Sequence, residues 1–249
     1  MAPSPADSVD SGQLLDQLEF LELRFDSHAH LAGSDLTDPG TSDWWATAGM
    51  TVSSDEDDPA DQWYFSENAT LSAKPDTQGY VDVNILEASG LTIDLQHVDG
   101  IFDALDARSS DYAKFIPLFG NRDEYGFLGL DDRLQSTTHA FGTHVVIVDR
   151  VRLAPAWRGL GGIGRLLTAR VLRWICSDPR LIAVQPFPID LDRSLLRDAS
   201  VFEPALDKVR RTWASLGFVP AFGGIWVADP GRSAYSNAVE ALERKFGLR

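Results

Sequence analysis

One stretch constrains this chain more than any other. Thr143-His144-Val145-Val146-Ile147-Val148-Asp149-Arg150-Val151-Arg152-Leu153 is the strongest strand in the sequence, because β-branched residues crowd a helix and suit a pleated surface. Pro155 ends it. A glycine-rich turn follows, and then Ile163, Leu166, Leu167, Val171, Trp174 and Ile175 recur at helical spacing along one apolar stripe. Leu181 to Val184 reads as a short buried strand, stopped by Pro186 and Pro188. Strand, helix and strand in that order predict a right-handed crossover joining two parallel strands, and so an α/β class.

The turn itself, Arg158-Gly159-Leu160-Gly161-Gly162-Ile163-Gly164, carries chemistry. Its glycines let the backbone bend tightly and leave N–H groups unshielded. The first turn of the helix adds unpaired donors and the positive end of the dipole, and together these suit a pyrophosphate. Arg158 supplies a guanidinium able to grip phosphate in bidentate fashion. Gly159, Gly161 and Gly164 also satisfy the dinucleotide pattern G-x-G-x-x-G. That pattern needs its glycines directly after the strand, however, and Ala154 to Arg158 intervene.

The run Leu153-Ala154-Pro155-Ala156-Trp157-Arg158-Gly159-Leu160-Gly161, with Gly164-Arg165-Leu166-Leu167 after it, resembles the acyl-coenzyme A signature of the GNAT N-acetyltransferase superfamily. Trp213-Ala214-Ser215-Leu216-Gly217-Phe218 is similar to that family's later helix-to-strand element. The resemblance implies an α/β, GNAT-like twisted mixed sheet with splayed central strands flanked by helices. It implies acetyl-CoA as cosubstrate, held by Leu153, Arg158, Gly159, Leu160, Gly161, Gly162 and Gly164, with the Leu153 N–H facing the acyl carbonyl. It also implies a small-molecule or peptide amine as acceptor. Two departures stand out: one extra glycine in the turn, and Trp213 where the family often carries a tyrosine acid. An indole cannot replace a phenol as acid. For the base, Asp149 is expected on the strand face of Val151 and Leu153, with His144 second; Asp149 also suits an ion pair with Arg150 or Arg152. A GNAT-like module that does not turn over is the second reading.

The rest of the chain sets the frame. Residues 1–12 read as a disordered tail, 13–79 as an extension with an acidic insertion, 80–230 as the acyltransferase domain and 231–249 as a terminal helix. Between residues 33 and 79 lie ten acidic residues and one basic one, a local −9 within a total of −15, which disfavours nucleic acid as a partner. Trp44, Trp45, Trp63, Tyr64 and Phe65 predict that part of this insertion packs on the domain. Val81, Val83 and Ile85, then Leu91, Ile93 and Leu95, predict a hairpin turning at Ala88-Ser89-Gly90. No stretch approaches a membrane span, and neither a basic start nor an apolar run marks a secretory signal. A lone cysteine, Cys176, suits a cytoplasmic protein. Asp26-Ser27-His28-Ala29-His30 resembles the metal motif of amidohydrolase barrels, but the strand–helix repeats such a barrel requires are missing.

Overall fold

Eight strands join in one mostly antiparallel open sheet, and helices cover both faces. The computed structural model describes residues 17–29, 38–53, 69–75 and 79–248. A 3-10 turn at Gln17–Phe20 leads into β1 (Glu22–Ala29), followed by β2 (Thr41–Ser53), β3 (Ser72–Pro75) and β4 (Tyr80–Asp94). Helices α1 (Ile101–Arg108) and α2 (Ser110–Ala113) precede a small hairpin of β5 (Phe119–Arg122) and β6 (Leu128–Leu130), then α3 (Asp132–Gln135). The crossover unit is β7 (His144–Leu153), α4 (Ile163–Ile175) and β8 (Pro179–Val184). The remaining elements are α5 (Ala199–Ala214), β9 (Val219–Pro220), β10 (Trp226–Ala228) and α6 (Ser233–Lys245).

The main sheet runs β1-β2-β4-β7-β8-β10-β9, with β3 also paired to β4. Only β7 and β8 are parallel, as the crossover predicts. One face buries Val146, Val148, Leu166 and Trp213 among the residues under α4, α5 and α6. The other buries Val145, Ile147, Leu105 and Leu134 under α1, α3 and the small hairpin. Among the described residues no helix is long and apolar enough to cross a membrane.

Two expectations are corrected here. The hairpin at residues 81–95 is one continuous strand, β4. Its small residues make room rather than a turn: a Cβ on Gly90 would lie 2.0 Å from the Ile147 carbonyl oxygen and 2.5 Å from the Trp44 ring. Residues 41–53, read as part of an acidic insertion, form a 13-residue strand inside the sheet, with Trp44, Ala46 and Ala48 buried. Helix α5 begins at Ala199, where the Asp198 side chain accepts from the Ser200 N–H and caps it. The expected tail at 1–12, the acidic run 55–59, the aromatics Trp63, Tyr64 and Phe65, and His30 lie outside the described residues.

Candidate functional site

The parallel ladder between β7 and β8 runs from His144 and Pro179 to Val148 and Val184, and there it stops. Strand β7 continues to Leu153, paired with β4 alone. Beyond Gln185 come Pro186 and Pro188, which have no N–H to offer a ladder, so β8 has no means of following β7. Past that point no ladder joins the two strand ends, which leaves a gap between them in the hydrogen bonding of the sheet. Ala154 N–H donates to the Ile85 carbonyl (2.8 Å). Neighbouring residues of an antiparallel strand turn their polar groups to opposite sides, so the N–H and C=O of Leu153 point away from β4, toward the gap. The Leu153 carbonyl confirms this direction by accepting from Arg158 Nε (2.9 Å) and Nη2 (2.7 Å).

The glycine turn closes one end of that gap. A 3-10 turn at Pro155–Trp157 drops the Trp157 indole into the core, where its Nε1 donates to the Ala69 carbonyl (3.0 Å). Gly159, Gly161 and Gly162 all take positive φ, at 78°, 64° and 111°. A side chain there would be strained, which is why the turn needs glycine. The extra glycine is absorbed by two consecutive positive-φ residues, Gly161 and Gly162, the second of which is the N-cap of α4. Gly164 packs the helix on the strand, since a Cβ there would lie 2.8 Å from Leu153 Cδ2. Among the described residues the N–H groups of Gly159, Leu160, Gly162, Gly164 and Arg165 have no acceptor, so the turn presents a cluster of free donors at a helix N-terminus.

Three cations surround it. Arg158 pairs with Asp190 (3.1 Å), Arg165 donates to Ser215 Oγ (2.8 Å), and Lys245 Nζ donates to the Gly161 carbonyl (2.7 Å). The sequence marks Arg158 and Arg165 by position. Lys245 carries no local signal, because only the packing of α6 against α4 brings the end of α6 to the turn.

Asp149 sits where β7 has lost β8 and keeps β4, as a bulge. Gly90 opposes Val148 and Ser89 opposes Arg150, which leaves Asp149 as the surplus residue between them. The bulge resets the alternation, so Val151 and Leu153 join the face of Val146 and Val148. Asp149 faces the other way, toward α2. Its expected place beside Val151 and Leu153 is therefore corrected. Burial raises its carboxyl pKa, Arg150 opposes that rise and Asp111 adds to it. Tyr112 is the neighbour on α2, and burial, with Asp149 and Asp43 nearby, pushes its phenol well up. Lys114 bridges Asp111 (2.6 Å) and Gln185 (3.2 Å), linking α2 to the end of β8. Among the described residues Asp149 forms no ion pair, while Arg152 approaches Glu87 at 3.9 Å.

His144 lies at the opposite end of β7, about 30 Å from Leu153 at the usual strand rise, beside Thr143 Oγ1 (3.1 Å) and Asp94 (3.8 Å). The structure does not bring it to the gap. Trp213 is buried against Phe218, with ring centroids 4.9 Å apart, and packs the core. Burial also pushes the half-buried Cys176 thiol up, as befits an unreactive residue. His28 lies on exposed β1 beside Trp45. No group of three or more metal-ligating side chains assembles among the described residues.

No family model, curated protein or solved structure matches this chain.

Proposed function

We propose that this chain is an acyl-coenzyme A-dependent N-acyltransferase that passes its acyl group, acetyl in the first instance, to a primary amine of a small molecule or peptide. The observation that carries the reading is the meeting of two features at Leu153: a gap between parallel strands and a glycine turn rich in free donors. Either alone has other uses. Together they suit a ligand with a pyrophosphate at one end and an extended amide-bearing arm at the other.

The residues present fit such a ligand. The N–H groups of Gly159, Leu160, Gly162 and Gly164, with Arg158, would hold the pyrophosphate, and Arg165 and Lys245 would strengthen the local positive field. The ligand supplies an activated thioester carbonyl and a thiol leaving group of pKa about 8.5. The Leu153 N–H faces the gap and is available to a carbonyl oxygen. Asp149 takes a proton from an incoming ammonium, since a carboxylate with a raised pKa is a better base than an ordinary one. Trp213 donates no proton in this scheme, and the low pKa of a thiol makes an acid there unnecessary.

Calorimetric titration of the full chain with acetyl-CoA tests binding, and thiol release across a panel of amines tests transfer. Saturable binding with thiol release is the expected result. Absence of binding overturns the reading. Binding without release on any amine favours a module that holds acyl-CoA and does not turn over, which the packing role of Trp213 also suits.

A further inference from the structure

Strand β1 is the outer edge of the main sheet: it pairs with β2 on one side, and among the described residues nothing pairs with the other. Nearly all of it is exposed. An eight-residue open edge invites another strand, because among the described residues its outward N–H and C=O groups have no strand partner. We infer that the occupant is a second copy of this chain, joined through antiparallel β1–β1 pairing about a two-fold axis at Phe25. This goes beyond the acyltransferase reading and does not depend on it.

The strand is self-complementary. A two-fold axis perpendicular to the sheet keeps each face on its own side, so residues pair only in registers that match odd with odd and even with even. Two such registers pair the greatest length of β1. With the axis at Phe25, Arg24 faces Asp26 of the second copy and Glu22 faces His28, and symmetry repeats both pairs. With the axis at Asp26, two aspartates oppose each other and Arg24 faces His28. Only the first register sets every acidic residue of the strand opposite a basic or protonatable one. Directly opposed unlike charges stabilise a strand pair and like charges oppose it.

The other face of the same strand agrees. There the axis sets Phe25 against Phe25, and each ring already lies 6.3 Å from Trp174, which is itself 70% exposed. Pairing would gather four aromatic rings beneath the joined strands, removing apolar surface that a lone chain leaves in water. On the charged face Arg24 already reaches Asp82 (2.8 Å) and Glu22 (3.3 Å). Its guanidinium therefore leans inward over β2 toward β4, and pairing with the second copy's well-exposed Asp26 requires it to turn outward to the edge.

Sedimentation equilibrium of the full chain, up to about 100 µM, reads the association directly. A dimer is expected, and a monomer throughout overturns the proposal, whatever covers the edge. Asp26→Arg opposes arginines across the interface twice and is expected to weaken the dimer about tenfold or more, with circular dichroism unchanged. Adding Arg24→Asp to that variant is expected to restore it. An Asp26→Arg dimer as tight as wild type overturns the proposal. The register has its own readout, independent of the charge swap. In a Cys176→Ser background, Phe25→Cys is expected to form an intermolecular disulfide on mild oxidation, and Asp26→Cys is not. The reverse pattern, or no cross-link from Phe25→Cys in a dimeric sample, rejects the register and with it the proposal.

Discussion

The two halves of β7 belong to one strand, yet His144 to Val148 are nearly all apolar whereas Asp149 to Leu153 include three charged residues, and their surroundings differ as much. From His144 to Val148 the strand lies between β4 and β8, and Val145 to Val148 are completely buried. From Asp149 to Leu153 it keeps β4 and loses β8, and its side chains become half-buried or exposed. The residues of the second half are no less suited to a strand, as Val151 and Leu153 attest. The neighbour makes the difference. Where β8 runs alongside, the backbone is spent on the ladder and side chains pack; where β8 leaves, backbone donors and a carboxylate become available to a ligand. A strand can thus be buried scaffold at one end and an open, charged edge at the other, and its sequence changes at the same point.

The largest effect that would break this contrast is on stability. Ile147→Ala in the buried half is expected to cost about 2–5 kcal/mol, against about 1 kcal/mol or less for Val151→Ala in the open half. Urea denaturation of both variants checks the difference, and equal costs would erase the distinction. Next comes rate. Asp149→Asn is expected to lower acetyl transfer about 100-fold, whereas His144→Asn, at the far end, leaves it within about twofold. Steady-state kinetics on one amine decides between them.

The pH dependence sharpens the same pair. Burial raises the Asp149 pKa, so the folded chain holds this proton at pH values where an unfolded chain has released it. Any stability due to that proton is present at low pH and is lost as pH rises through the folded pKa. The ionised base needed for transfer appears over the same interval. The acid limb of the rate profile is therefore expected above the ordinary aspartate range and absent in Asp149→Asn, whose neutral-pH stability should not fall. At the turn, Arg158→Ala is expected to weaken acetyl-CoA binding about tenfold with the melting curve nearly unchanged, by calorimetry and circular dichroism. Lys245→Ala is the smallest effect, about threefold on the same affinity, since the ammonium acts on the field around Gly161 at a solvent-exposed site.

How much of this the sequence discloses depends on the range of each signal. Helix α4 and strand β7 are legible because their apolar periods repeat within a few residues and end at Gly162 and Pro155. The turn is legible for a related reason: glycine at positive φ is a local demand. Strand β4 is misread because a small residue that makes room for Trp44 looks the same, in sequence, as one that makes a turn. Strand β2 is hidden by its acidic surroundings. Tyr112, Lys114, Gln185 and Lys245 reach the site only through tertiary packing, which no local pattern announces. The side on which Asp149 lies depends on a bulge that strict alternation cannot foresee.

That bulge has one more consequence. Deleting Asp149 would leave Val148 opposite Gly90 and Arg150 opposite Ser89, now as consecutive pairs, and every side chain of β7 would keep its face. The ladder with β4 closes without it, and what is lost is the local bend and twist that a bulge gives a strand. A shortened β7 is thus expected to remain a well-formed strand without its one carboxylate.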